Sequence, residues 1–207
     1  MSTRIAKKQP VMRKEPRQAR SRATVEAVIE AGARILSEQG WVGFTTNKVA
    51  EAAGVSIGSL YQYFPDKVSL VGAIRRKHLD DSLAAVRNAL AAALPLAGFV
   101  EVLVSNIVEA HKIHPGLHRV LLDEAPGLES YRTQNIQIEA QYISYYTEAV
   151  AMHRPKKTDA SDETIGITIS DAIDGVIHNA ARRGNLHEPR IRHELVRMIR
   201  LYLGDAS

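Results

Sequence analysis

Phe44-Thr-Thr-Asn-Lys-Val-Ala-Glu-Ala-Ala-Gly-Val-Ser-Ile-Gly-Ser-Leu-Tyr-Gln-Tyr-Phe-Pro-Asp-Lys67 reads as two very short helices hinged at Gly54. Thr45 or Thr46 can cap the first, Val49, Ala50 and Ala53 give it one apolar face, and Gly54 ends it in a backbone conformation that a Cβ would oppose. Ser56 starts the second helix. There Leu60 points to the core, while Ile57, Gly58, Ser59 and Tyr61 fall on the other side. The outer face is therefore low and hydrogen-bonding rather than bulky, the kind of face a DNA major groove admits.

Helices this short are marginal in water and need tertiary support. Residues 21 to 39 supply it: Val25, Val28, Ile29, Gly32, Ile35 and Leu36 recur at helical spacing, and Gly40 sits where a C-terminal stop belongs. On the far side Pro65 pushes Phe64 out of the helical region, and Asp66 can cap a new helix from Lys67, whose cation is expected to reach the DNA backbone. A three-helix unit ending in a helix-turn-helix follows.

Charge agrees with that reading without deciding it. Residues 1–78 hold 14 Lys plus Arg against 6 Asp plus Glu, and residues 79–207 hold 13 against 17. The positive excess sits at the helix-turn-helix end, as for a nucleic-acid reader joined to a domain with another job, although a solvated basic surface fits charge alone equally well. Arg4, Lys7, Lys8, Arg13, Lys14, Arg17, Arg20 and Arg22 face only Glu15 in the first 22 residues. A basic arm over residues 1–19, interrupted by Pro10 and Pro16, is expected to be disordered in the free protein; it fits phosphate or minor-groove binding and a solvated tail equally.

No cysteine occurs, so disulfides and thiolate metal sites are excluded. No apolar run approaches the roughly 20 residues of a membrane span, and no apolar core follows the basic start as a signal peptide would need, so a cytoplasmic location is the expectation.

The remainder reads as helix throughout. A long helix is expected from about Lys67 to Leu94, with Val71, Ile74, His78, Leu83, Val86 and Leu90 near one stripe, ended by Pro95 and Gly98. Others follow over about 99–113, from Pro115 through Asp123, over 129–152 after the Pro126-Gly127 break, and, past a polar loop from Pro155, over 163–183 and from Pro189 to the end. Pro189 suits a first helical turn. No strand pattern or repeat competes, so the fold class is all-α with about nine helices.

His111, His114 and His118 lie within eight residues. Pro115 breaks the helix that would align the first two, and histidines at a helix end also favour the dipole, so no metal site is expected. No Gly-x-Ser-x-Gly elbow or phosphate-cradling glycine loop occurs, Asp80 and Asp81 diverge on a helix, and the reading is of a non-enzyme without a cofactor.

The order Gly40-Trp-Val-Gly-Phe-Thr-Thr46, then Val49-Ala-Glu-Ala-Ala-Gly-Val-Ser56, then Gly58-Ser-Leu-Tyr-Gln-Tyr-Phe-Pro-Asp-Lys67 closely resembles the N-terminal DNA-binding domain of TetR-type (tetracycline-repressor-like) transcriptional regulators, over roughly residues 20 to 75. With the basic arm over 1–19 set aside, the resemblance implies a helix-turn-helix domain over 20–66 and an effector-binding and dimerisation domain over 67–207. It places Thr46 and Asn47 against phosphate, Ile57, Gly58 and Ser59 at base edges, and Tyr61, Tyr63 and Lys67 on the backbone, with the helix-starting Thr45 and Ser56 in the same set. Ile57 offers no hydrogen bond, so its readout is apolar, for instance to a thymine methyl.

One recognition helix reads too few base pairs for useful affinity, and two-fold pairing doubles the readout. The resemblance implies a homodimer through the last two helices, with Ile169, Ile173, Val176, Ala180, Leu195, Met198, Ile199 and Tyr202 at the interface. It also implies a small-molecule effector in a cavity of the second domain, for which Phe99, Leu103, Asn106, Tyr142, Tyr145 and Tyr146 are candidate walls. The function expected is a repressor released from a palindromic operator by a ligand; the alternative is an effector-independent DNA-binding protein with an architectural or division-coordinating role.

Overall fold

The computed structural model describes Met12 and residues 18–124, 132–154 and 159–204, and every regular element among them is helical. In chain order these are α1 (Ala19–Gly43), α2 (Thr46–Ala52), α3 (Ile57–Tyr63), α4 (Lys67–Ala91), α5 (Leu96–Lys112), α6 (Leu117–Arg119), which continues as a π-helical turn over Val120–Glu124, α7 (Arg132–His153), α8 (Asp162–Arg182) and α9 (Pro189–Leu203). No described helix is long and apolar enough to cross a membrane.

The starts and stops are set by side chains within a few residues. Thr45 Oγ1 accepts from the Lys48 amide at 3.3 Å, Ser56 Oγ from the Ser59 amide at 3.1 Å, and Asp66 Oδ1 from the Ser69 amide at 2.7 Å. Each satisfies one of the amides a helix start leaves unpaired. Ser69 answers Asp66 by accepting from its amide, which closes a capping box at the head of α4. Gly54, between α2 and α3, has φ +67°, the left-handed region that favours glycine. Phe64, ahead of Pro65, is extended at φ −119°, ψ 102°.

Three boundaries depart from the sequence reading. Gly40 breaks α1 at φ +66° as expected, but the chain resumes a helical turn through Gly43 because Trp41 is held from outside: its amide donates to Glu124 Oε2 at 3.0 Å. Gly98 does not end anything. It lies in the first turn of α5, which starts at Leu96 because Pro95 takes the N-cap, where a missing N–H costs nothing. The helix expected to run through Asp123 is one α-turn followed by a π-turn. The Pro126-Gly127 break, the start near Glu129 and residues 155–158 lie outside the described residues. So does the basic arm, apart from Met12, which packs on the N-terminal core, and residues 18 and 19 at the head of α1.

Two apolar cores form, and α4 belongs to both. The N-terminal core gathers Val28 and Leu36 of α1, Phe44, Val49, Leu60 and Phe64 of the helix-turn-helix, and Leu70, Val71 and Ile74 from the first half of α4. Leu117, Val120 and Leu121 join it from α6 and its π-turn, far along the chain. The C-terminal core takes Val86 and Ala89 from the second half of α4, Val100, Leu103 and Ile107 from α5, Tyr146 from α7, and the inner faces of α8 and α9.

Candidate nucleic-acid interface and effector cavity

Small caps and one large apolar anchor fix the presentation of α3. Leu60 is fully buried and Val55 packs beneath, so the opposite face of the helix stands outward. Ser56, Ile57, Gly58 and Tyr61 are exposed there, with Ile57 at 38 % and Tyr61 at 41 % exposure for side chains that would otherwise be covered. Thr45 and Asn47 are exposed at the head of α2, and half-buried Thr46 meets Tyr61 Oη through its Oγ1 at 3.0 Å. That bond ties the support helix to the presented helix. A Cβ added to Gly58 would meet only Ser56 Oγ among the described residues, at 3.9 Å, so none of their atoms asks for glycine here. The space above it is free for an incoming groove.

Besides the caps Thr45 and Ser56 and the Thr46–Tyr61 pair, three more residues of the expected set are engaged within the chain. Ser59 is half-buried, its hydroxyl 2.8 Å from that of Ser56, and Tyr63 is half-buried against the N-terminal core. Lys67 folds inward: its Nζ donates to the Trp41 carbonyl at 2.7 Å and sits 3.6 Å from the centre of the Trp41 ring. Partial burial lowers its pKa. The sequence reading missed Gln62, exposed one helical turn beyond Gly58. The i, i+4 spacing was the signal, and a side-chain amide is a ready partner for an adenine edge.

Behind the headpiece, α6 is bolted to α1. The Gly116 amide donates to Ser37 Oγ at 3.0 Å, His114 Nε2 lies 3.0 Å from Glu30 Oε1, and Glu124 both accepts from Trp41 and pairs with Arg119.

A cavity of about 320 Å³ opens at the other side of α6, with walls from α4, α5, α6, α7 and α8. His78, His111, His118 and His178 converge there. His78 Nε2 is 3.1 Å from His118 Nδ1, and His111 Nε2 is 3.2 Å from His178 Nε2. The His118 and His178 rings stack with planes 12° apart. His111 Nδ1 faces the Ile107 carbonyl at 2.8 Å, which fixes its proton on that nitrogen and leaves Nε2 with a lone pair. Burial, reinforced by the neighbouring rings, pushes His78 and His178 down to about 3 and His118 to about 2, and burial lowers His111 as well, so the imidazoles are neutral at pH 7. Opposite them Tyr142 donates to Asp174 Oδ1 at 3.3 Å, and burial raises Asp174 to about 6.

Of the six candidate walls only Tyr142 lines this cavity. Phe99, Leu103 and Tyr146 are core residues, Tyr145 packs on that core, and Asn106 spends its amide on the Ala85 carbonyl at 3.2 Å. Their apolar spacing marked a buried face, which core packing fills before any ligand does. The turn at Pro115-Gly116 does separate the first two histidines of the sequence cluster: it sends His114 to Glu30 and brings the His118 ring near that of His111.

The surface of α8 and α9 also divides differently from the sequence reading. Ile169, Ile173, Ala180, Leu195 and Ile199, expected to meet a second copy, are buried in the single chain, although Ala180 and Leu195 also line the groove between the two helices. Met198 and Tyr202 are exposed at 41 % and 53 %, and Val176 and Met198 line an open groove of about 590 Å³ between the two helices. Ala172 and Gly175 line it as well, with Asp171, Glu194, Arg183 and Arg190.

Comparison with known proteins agrees over both halves. The family model for bacterial regulatory proteins of the tetR family matches residues 28–74, and that of the tetracyclin repressor-like C-terminal domain matches residues 95–203. The transcriptional repressor KstR2 of Rhodococcus jostii is 35 % identical over 83 residues, 40 % of this chain and 41 % of the relative. The nucleoid occlusion factor SlmA of Haemophilus ducreyi is 33 % identical over 97 residues, 45 % and 46 % of the two chains. The chain thus matches less than half the length of these curated relatives. Among solved structures, the fatty acid degradation regulator FadR of Bacillus halodurans superposes with a TM-score of 0.72 at 16 % identity, over 93 % of this chain and 98 % of that one, which speaks to the fold.

Proposed function

Since the chain belongs to the tetR family of bacterial regulatory proteins, we propose that it is a dimeric, sequence-specific DNA-binding repressor that leaves a palindromic operator when a ligand enters the cavity beside α6. The observation that carries the reading is where that cavity lies. Its walls include α4 and α6, the two elements that also build the core under the recognition helix. A ligand that spreads or draws in these walls tilts α3.

Operator binding needs two recognition helices in successive major grooves, about 34–36 Å apart. The groove between α8 and α9 suits an isologous pair: Val176 and Met198 with exposed Leu201 and Tyr202 supply apolar area, while Asp171 and Glu194 alternate with Arg183 and Arg190 so that a two-fold copy can match unlike charges. On α3, Ile57 and Gly58 meet base edges with Gln62, and Ser56 and Tyr61, together with Thr45 and Asn47 at the head of α2, bond the phosphates. The ligand needs no more than a preference for the non-binding geometry, and the shift cannot exceed that preference.

Selection from a random duplex pool at moderate salt, with sedimentation of the selected complex, tests the whole reading. The expected result is one palindromic consensus bound by two chains; no enrichment over random competitor, or binding by a single chain, rejects it. A second reading, a DNA-binding protein with an architectural or division-coordinating role and no effector, is favoured by the likeness to the nucleoid occlusion factor. It predicts many scattered genomic sites and DNA affinity indifferent to any occupant of the cavity.

A further inference from the structure

We propose that His78, His111, His118 and His178 form a binding site for a divalent first-row transition ion, and that occupancy of this site is the signal the DNA-binding end reads. The second half rests on the repressor reading above; the first half stands on geometry alone.

Four imidazoles from four helices line one cavity, with ring nitrogens 3.1 Å and 3.2 Å apart in two facing pairs. A tetrahedral ion with metal–nitrogen bonds of about 2.0–2.1 Å has ligand–ligand edges of about 3.3 Å, so each pair already stands at the spacing of one edge. One ring nitrogen from each of His78, His111 and His118 lies within 4.8 Å of the others. His178 stands outside that set and stacks on His118 with planes 12° apart, so it joins as the fourth ligand only after its ring turns to bring a lone pair to the ion. His111 carries the outer support that metal-bound histidines show, a backbone carbonyl on Nδ1 that aims Nε2 inward. The donors are nitrogens without thiolates, which suits zinc, nickel, cobalt or copper and not magnesium or calcium. Asp171 and Asp174 on the same cavity wall supply negative charge against the ion's.

The ligands also span the joint of the molecule. His118 rides on α6, whose Leu117, Val120 and Leu121 are packed into the N-terminal core, whereas His111 and His178 belong to the C-terminal body, and His78 sits midway along α4, which enters both. Drawing the nitrogens together moves α6 relative to α5 and α8, and the headpiece goes with α6.

The test uses the full chain stripped with a chelator, titrated with Co²⁺ and followed by its visible d–d absorption, with Zn²⁺ as competitor and excess Mg²⁺ throughout. The expected result is one Co²⁺ per chain with a tetrahedral spectrum, displaced by Zn²⁺ and untouched by Mg²⁺. Affinity should fall at least ~100-fold in His118→Gln and His178→Gln and stay unchanged in His187→Ala, an exposed histidine away from the site. Absence of the spectrum from the wild type, or equal Co²⁺ affinity in the variants and the wild type, overturns the site. Should the variants lose their helical circular dichroism, X-ray absorption of the wild-type Zn²⁺ protein decides: fewer than three imidazoles in the coordination shell overturns it. Zn²⁺ is also expected to change affinity for the selected duplex at least ~5-fold, and the change should vanish in His118→Gln. No change in the wild type, or one that persists in His118→Gln, overturns the signalling half. Failure to select any duplex in the absence of metal counts against the repressor reading instead, and the cobalt titration still decides the site.

Discussion

Glycine-to-alanine changes nine residues apart on α8 should move stability in opposite directions. At Gly166 an added Cβ would stand 2.9 Å from the Thr147 amide nitrogen, 3.1 Å from the Tyr146 carbonyl carbon and 3.3 Å from Thr147 Cα. All three are backbone atoms of α7, so no side chain can swing aside, and ordinary contact requires α8 to withdraw by about half an ångström. Alanine gains about 1 kcal/mol of helix propensity over glycine, but overpacking a closed interface costs about 1–3 kcal/mol. The net expectation for Gly166→Ala is a loss of about 1 kcal/mol. At Gly175 nothing lies within 4 Å of the same added atom, so only the propensity term acts, and Gly175→Ala should gain about 0.5–1 kcal/mol. Urea unfolding followed by far-UV circular dichroism, at protein concentrations low enough to keep chains apart, reads both. Stabilisation by Gly166→Ala would refute the close approach of α7 and α8. Gly175 lines the groove proposed to receive a second copy, so a gain at low concentration that reverses at high concentration adds to the case for that interface.

On the recognition helix, Gly58→Ala should raise folding stability by about 0.5 kcal/mol, since the position is helical and open, and weaken binding to the selected duplex at least tenfold; unchanged DNA affinity in a gel-shift titration would remove Gly58 from the readout. Lys67→Met keeps the aliphatic stem and deletes the bond to the Trp41 carbonyl and the contact with its ring, so it should cost about 1–2 kcal/mol in the same urea assay. Full stability combined with a salt dependence of DNA binding reduced by about one would instead assign Lys67 to a phosphate. In chelator, acid should destabilise the chain: His78, His118 and His178 are held at about 3, 2 and 3 when folded and return to the usual 6.5 when unfolded, so the unfolded state takes up protons first as pH falls below about 6.5. Between pH 7.5 and 5.5 this removes about 1.4 kcal/mol per imidazole, while Asp174, held up at about 6, gives back somewhat under 1, for a net loss of about 3 kcal/mol. Equal urea midpoints at the two pH values would refute it.

The DNA-binding end was legible in the sequence because its determinants are local. Thr45, Gly54, Ser56, Pro65 and Asp66 each act on backbone within three residues, and that is the range over which a string of letters specifies geometry. The cavity is the opposite case. His178 meets His111 across 67 positions and His118 meets His78 across 40, and no periodicity on one helix announces a partner on another. The same limit explains the interface residues. Apolar spacing on α8 and α9 marks the face that leaves water, but Ile173 and Ile199 leave it inside their own chain, and only the residues left over, such as Met198 and Tyr202, face outward.

The contacts of α6 make the cavity's position consequential. Gly116 comes so near α1 that a Cβ on it would stand 2.4 Å from the Ser37 carbonyl oxygen, its amide bonds Ser37 Oγ, and Glu124 at the end of the π-turn holds the Trp41 amide. Packed interiors shift between discrete arrangements rather than stretching, so this segment moves with α1 or not at all. On the proposal above, the seam between the DNA-binding body and the rest runs through the histidine cluster, where α6 meets α5 and α8. A ligand bridging His118 to His111 and His178 grips both sides of that seam, and its differential affinity is spent on their relative position. Turning a population from 1:99 to 99:1 asks for about 5.5 kcal/mol, within the scale of apparent free energies of about 10–16 kcal/mol for structural zinc sites. An apolar ligand lodged against α7 alone would touch one body only and would have no such lever on the recognition helix.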